Sequence, residues 1–294
     1  MDSKINAIKE QLKQLGLRPT KNKGQNFLID QDALVQIVAA AELKPSDFVL
    51  EIGPGLGVLT EKLLDVTDRV LAVELDKALY FYLKKKFLGQ KKLQLILADV
   101  LKIKNNELLE NFKVGQTASY KLVANLPYNI SKPVLQKFLS YEPKPELMVV
   151  LLQKEVAEKI IGQDHKMGLL SVAVQLHGQP EIVAFVPKEA FFPQPQIESA
   201  IVKIKPYKEG LSPEVLAVLK KNGQKQFNEI KFWQLVKIGF SAPRKQMHNN
   251  LAAGYHLPTA QIKAILEKNN LIETVRAEDL SLKDWACLYL NFVS

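Results

Sequence analysis

A single cysteine, Cys287, stands among the 294 residues. With no internal disulfide possible, the core alone must hold the fold, and a reducing cytoplasm is the expected setting. The four histidines (His165, His177, His248 and His256) fall at no metal-ligand spacing and have no cysteine partners, so no metal is expected. No apolar run approaches the roughly 20 residues that span a bilayer, so no membrane is expected either. The stretch from Met1 to Arg18 mixes Lys, Asn and Gln with single apolar residues and lacks the apolar block of a secretory signal. Internal repeats and low-complexity tracts are missing, which sets aside solenoids and flexible linkers. No pattern marks a self-association face, and a monomer is expected.

What is present is a 47% hydrophobic chain with a net charge of +9. Such a balance favours polyanionic partners. Lys9, Lys13, Arg18, Lys21 and Lys23 make the beginning of the chain a basic arm, placed at residues 1–22. The Lys84–Lys86 run reads as the solvated face of a helix.

Short runs rich in Val, Ile and Leu then alternate with helical spacing. They are FVLEI (48–52), VLAVEL (70–75), LQLIL (93–97), KLVANL (121–126) and LMVVLL (147–152). Strands of that kind are buried on both faces. Alternation with helices predicts an α/β fold with a doubly wound, mostly parallel sheet. IVAFVP (182–187) and SAIVKIK (199–205), separated by the proline-rich FFPQPQ, predict an antiparallel pair at the sheet edge. Beyond Pro206 the pattern is helical, with starts near Pro213, Asn228, Arg244, Pro258 and Asp279. The expected organisation is the arm, an α/β domain at 23–206 and a small all-helical domain at 207–294.

The first long strand ends in EIGPGLG, placing Gly53, Gly55 and Gly57 in a strand-to-helix turn where the backbone can approach a ligand. Val58 breaks the dinucleotide pattern, which disfavours a nicotinamide or flavin. Glu74, at the next strand end, can accept both hydroxyls of a ribose, and Asp99, at the third, an adenine amine. Three such features on successive strand ends predict an adenosine-type ligand.

The fourth strand ends in Asn125-Leu126-Pro127-Tyr128. An adenine amine is a poor nucleophile because its lone pair is delocalised into the ring. The Asn125 side-chain oxygen and the Leu126 carbonyl can each accept one amine hydrogen and turn that lone pair towards a sulfonium methyl. Pro127 fixes its own φ and biases Leu126 towards an extended backbone. Tyr128 offers a face on which the base can stack, worth about 1–3 kcal/mol. The base has to be unpaired or flipped to enter. A second aromatic is expected from the proline-rich turn, Phe191 being favoured over Phe192. No His or Glu is assigned as a general base, because the methyl donor is already cationic.

With these residues placed, the chain resembles the ribosomal RNA adenine dimethyltransferase family from about Lys23 onwards. The segments that carry the resemblance are GQNFL (24–28), VLEIGPGLGVLT (49–60), VELD (73–76), AD (98–99), ANLPYNIS (124–131), LQKEVAEKI (152–160) and FFPQPQIESAIV (191–202). It implies a Rossmann-like methyltransferase sheet and S-adenosylmethionine as cofactor. It implies two adjacent adenines near the 3′ end of 16S rRNA as substrate, each methylated twice, and a role in small-subunit assembly. By its motifs Asn26 and Leu28 line the cofactor entrance, and Gly53, Glu74, Asp99 and Asn125 complete the cofactor site.

The chain departs from the family pattern at Leu169, where a basic residue is usual. It departs again in FSAPRKQMHNNL (240–251), where Ser241, Ala242 and Pro243 precede Arg244 and Lys245. Those two cations, with Lys21 and Lys23, are the candidate phosphate contacts. The rival readings are a 23S rRNA adenine methyltransferase of the Erm resistance type and a non-catalytic RNA-binding assembly factor. The catalytic turn of the former commonly reads N-I-P-Y; the intact Asn125, Tyr128, Glu74 and Asp99 set argues against the latter.

Overall fold

Every long strand expected from the sequence forms. The structure is a computed structural model that describes residues 8–10, 12–13, 26–110, 119–162, 166–224 and 226–292. In chain order its elements are β1 (Phe27–Leu28), α1 (Gln31–Ala40), β2 (Phe48–Ile52), α2 (Val58–Leu64), β3 (Arg69–Glu74), α3 (Lys77–Lys86), β4 (Leu93–Leu97) and α4 (Asn105–Glu110). There follow β5 (Lys121–Asn125), α5 (Ser131–Ser140), β6 (Leu147–Gln153), α6 (Lys154–Ile161), α7 (Leu169–His177), β7 (Gly178–Val186), β8 (Phe191–Phe192) and β9 (Ser199–Pro206). The last are α8 (Pro213–Lys221), α9 (Glu229–Gly239), α10 (Met247–Tyr255), α11 (Thr259–Lys268) and α12 (Leu282–Phe292).

Seven strands make one sheet in the order β4-β3-β2-β5-β6-β9-β7. The pairings β2–β3, β3–β4, β2–β5 and β5–β6 are parallel, and β9 runs antiparallel to β6. Strands β2, β5 and β6 are buried almost throughout because helices cover both faces. The strand order reverses between β2 and β5, which opens a crevice beyond their carboxyl ends, the usual place for a ligand in such sheets. Side-chain caps start the helices that flank this crevice. Asp30 accepts from Ala33 N–H at 2.8 Å ahead of α1, and Asp76 accepts from Ala78 N–H at 2.9 Å ahead of α3.

The chain divides into two compact units. The first takes the described residues up to Ala157 together with 180–206; the second takes 158–179 and 207–294. The sequence predicts a single boundary between the α/β and helical domains, after Pro206, whereas the chain crosses between the two units three times. Helix α7 belongs to the second unit because Val172 and Leu176 bury among Val215, Phe232, Trp285 and Leu288. Close helix packing there depends on two small residues. A Cβ at Gly239 would lie 2.4 Å from the Trp285 ring, and one at Gly254 2.3 Å from Ile238. Among the described residues no helix is long and apolar enough to cross a membrane.

Candidate active site

The glycine turn owes its shape to positive φ angles and to crowding. Gly53, Gly55 and Gly57 have φ of 67°, 59° and 76°. A Cβ on Gly55 would sit 3.2 Å from the Phe27 ring, and one on Gly57 2.8 Å from both Leu83 and Phe87. The turn is also held from α3. Lys86 Nζ donates to the Leu56 carbonyl at 2.8 Å and pairs with Glu61 at 3.0 Å. The expectation of a solvated Lys84–Lys86 face is therefore corrected for its last member. Lys84 and Lys85 are exposed, but Lys86 turns inward because it sits on the helical face that carries Leu83.

Glu74 ends β3 with 5% of its surface exposed. One carboxylate oxygen accepts from Asp76 N–H at 2.8 Å and the other from Gly55 N–H at 3.1 Å. Burial pushes its pKa up, while these N–H donors pull the other way. Leu75, next along the chain, is 66% exposed.

Glu51 escaped the sequence reading, although a carboxylate in an otherwise apolar strand was its visible signal. It is fully buried and accepts from the Thr60 hydroxyl at 2.7 Å. Burial, with a smaller push from the Glu74 charge, raises its pKa to about 8.

At the end of β5 the Asn125 amide nitrogen donates to the Asn26 carbonyl at 3.2 Å. This holds the side chain in place by its nitrogen. Asn26 thus meets the Asn125 side chain through its backbone carbonyl. Pro127 packs against Gly53, whose absent Cβ would lie 3.4 Å from the proline ring. The half-buried Tyr128 shares a hydrogen bond with Ser199 Oγ at 2.7 Å, and burial raises its phenol pKa. Ser199 opens β9, directly after the proline-rich turn. Asn26, Leu28, Glu51, Gly53, Gly55, Glu74, Asn125, Leu126, Pro127 and Tyr128 line one cavity.

Two expected residues are missing from this lining. Asp99 does not line this cavity; its carboxylate accepts from Leu101 N–H at 3.0 Å and lies 3.8 Å from Lys102. Phe191 offers no face to a base, being 2% exposed and packed in the core with Leu28 and Leu34. The reason is pairing: β8 runs antiparallel to β1 with Leu28 opposite Phe191 and Phe27 opposite Phe192, and successive side chains point to opposite sides. Phe192 is the partly exposed member. It packs with Phe27, Leu12 and Ile8, and Lys9 Nζ stands 5.7 Å above its ring.

Arg244 and Lys245 are exposed in the turn between α9 and α10, without ion-pair partners among the described residues. The departing segment around Ser241–Pro243 is held by Asn250, which donates to the Gly239 and Ala242 carbonyls at 2.6 and 3.1 Å. Leu169 is 44% exposed. Arg18, Lys21 and Lys23 lie outside the described residues. Among the described residues no three His, Cys, Asp or Glu side chains come together as metal ligands.

Residues 17–290 match the family described as ribosomal RNA adenine dimethylase. A ribosomal RNA small subunit methyltransferase A from Dehalococcoides mccartyi is 42% identical over 284 residues, which are 97% of this chain and 92% of the relative. Among solved structures, a dimethyladenosine transferase from Plasmodium falciparum is 26% identical with a TM-score of 0.69, over 90% of this chain and 97% of its own. The 23S rRNA methyltransferase ErmE shares the fold, with a TM-score of 0.67 and 24% identity over 92% of this chain and 100% of its own. The chain belongs to the ribosomal RNA adenine dimethylase family.

Proposed function

We propose that this protein transfers methyl groups from S-adenosylmethionine to the exocyclic amines of two adjacent adenines near the 3′ end of 16S rRNA, dimethylating each during small-subunit assembly. It would act in the cytoplasm as a monomer. The observation that carries the reading is Asn125, whose amide nitrogen is anchored on the Asn26 carbonyl and which lines one cavity with Glu74 and Tyr128; its oxygen would then serve as the acceptor. Family membership and the small-subunit relatives support the choice of substrate.

The cavity fits an adenosine-type cofactor. A buried carboxylate stands where ribose hydroxyls would lie, and Gly55 has no room for a Cβ, so the backbone itself forms the wall. When bound, S-adenosylmethionine supplies a methyl group activated by its sulfonium charge. Glu74 would orient the ribose. The Asn125 oxygen and the Leu126 carbonyl would accept the two amine hydrogens and aim the nitrogen lone pair at the donor. The Tyr128 ring, fixed by Ser199, would stack on the flipped base. The amine proton released on transfer passes to water, and most of the acceleration comes from positioning. Arg244, Lys245, Lys21 and Lys23 are the proposed phosphate contacts, and the helical second unit is the proposed RNA-recognition domain.

The test is transfer of labelled methyl from S-adenosylmethionine to small subunits lacking the modification, with large-subunit RNA in parallel. Label in dimethyladenosine of the small subunit alone is the expected result. Label in the large-subunit RNA alone would move the activity to the resistance type, and RNA binding without label would leave an assembly factor.

A further inference from the structure

The strongest unassigned feature lies at the far end of the sheet from the catalytic turn. Between α3 and the edge strand β4 opens a groove of about 650 Å³, walled by Arg69, Lys84, Lys91 and Lys92 and floored by Tyr80 and Phe87. All four cations are exposed. Its carboxylate, Asp68, pairs with Lys92 at 2.6 Å. That leaves Arg69, Lys84 and Lys91 without carboxylate partners among the described residues.

The sheet edge adds a donor of a second kind. Val70 N–H donates to the Lys92 carbonyl and Ala98 N–H to the Glu74 carbonyl, both at 2.9 Å. Even-numbered residues of this stretch therefore face β3; of the odd-numbered ones, Leu93 N–H is taken by the Gln90 carbonyl at 3.4 Å, and Leu95 turns its N–H outward into the groove. Three uncompensated cations beside the outward Leu95 N–H suit a phosphodiester backbone.

We infer that this groove binds a stretch of rRNA backbone remote from the target adenines. The inference rests on the methyltransferase reading above. Remoteness follows from the topology: the groove lies at the amino ends of β3 and β4, the catalytic cavity beyond the carboxyl ends. The six residues of β3 separate the two levels by about 17 Å at roughly 3.3 Å per step. A nucleotide in the cavity and the phosphates in the groove therefore cannot be neighbours, and only a long or folded RNA reaches both. Contacts here bind by charge and carry no sequence preference.

The test compares wild type with the Arg69→Gln/Lys84→Gln/Lys91→Gln variant across a salt series. The ligands are full-length small-subunit rRNA and a short 3′-terminal hairpin that carries the target adenines. For the full-length RNA, the slope of log affinity against log salt should fall by about 3, roughly one for each cation removed. Affinity for the hairpin and for S-adenosylmethionine should be unchanged. An unchanged slope on the full-length RNA overturns the inference, as does an equal loss on the hairpin, which would place these cations at the catalytic face. A loss of binding to anionic lipid vesicles in the variant, with no change on RNA, would overturn the inference and assign the groove to a membrane surface instead. Lys91→Gln alone, in the loop before β4, provides a milder variant whose slope should fall by about 1. Wild-type protein that methylates rRNA but shows no difference from either variant sinks the groove alone. Wild-type protein that methylates no rRNA sinks the functional reading first.

Discussion

Removing the Asn125 side chain should separate chemistry from binding. In the proposed geometry the adenine amine has two hydrogens and two acceptors, Asn125 Oδ1 and the Leu126 carbonyl. Asn125→Ala deletes one preorganised acceptor in a partly dry site. Comparable single deletions in other enzymes cost about 10²–10³ in kcat, roughly 3–4 kcal/mol. The lost hydrogen bond to Asn26 should take only about 1 kcal/mol from stability. Single-turnover methyl transfer should therefore fall by two to three orders of magnitude, about the estimate above, while the calorimetric affinity for S-adenosylmethionine stays near wild type.

Asn125→Asp sharpens the test. The aspartate keeps an acceptor but has no N–H for the Asn26 carbonyl, so two oxygens would face each other where a 3.2 Å hydrogen bond now stands. The side chain should swing away, and activity should fall as far as in the alanine variant. Near-wild-type turnover by Asn125→Ala would refute the acceptor role. Near-wild-type turnover by Asn125→Asp would refute the anchoring by Asn26.

Three further predictions concern the scaffold of the site. Glu51 has its folded-state pKa raised to about 8, so the folded chain holds a proton that the unfolded chain releases near pH 4.5. Stability should fall as pH rises between those values, by roughly 5 kcal/mol at most at about 1.4 kcal/mol per unit, and Glu51→Gln should abolish that decline. Parallel pH profiles of melting temperature for the two proteins would rule this out. Gly57→Ala should cost about 2–5 kcal/mol, combining left-handed backbone strain with the 2.8 Å approach to Leu83 and Phe87. Gly89→Ala, also at positive φ but with nothing within 4 Å, should cost only the strain, about 1–2 kcal/mol in chemical denaturation. Lys86→Met removes the donor to the Leu56 carbonyl and should raise the KM for S-adenosylmethionine several-fold with little change in kcat. Lys86→Arg should recover part of the loss, and an unchanged KM in Lys86→Met would show that the lysine does not position the turn.

Much of the α/β framework was legible because strands buried on both faces are written as unbroken Val, Ile and Leu runs. LMVVLL leaves no polar face to mislead. The glycine turn, Glu74 and the Asn125–Tyr128 turn were legible because each sits at a strand end, where a polar residue interrupts an apolar run. Contacts between distant segments were not. Phe191 and Phe192 are chemically alike, and only the pairing of two-residue strands decides which one faces the core. Lys86 reads as one of three equivalent lysines until the helix is docked against the glycine turn. The inward half of Asn26 is its carbonyl, which no side-chain pattern reveals. Helix α7 lies before β7 in sequence but buries against helices beyond Pro213, so a linear reading of domains assigns it to the wrong neighbour.

If one cavity brings S-adenosylmethionine to the amine of a small-subunit adenine, the modified nucleosides must show it. Nucleoside mapping tests it most directly. Small subunits lacking the modification would be incubated with the protein and S-adenosylmethionine, and the digested 16S rRNA read position by position by mass spectrometry. N6,N6-dimethyladenosine should appear at two adjacent positions near the 3′ end and be lost when Asn125→Ala replaces wild type. Methylation at a ring nitrogen, a ribose or a base other than adenine would contradict it.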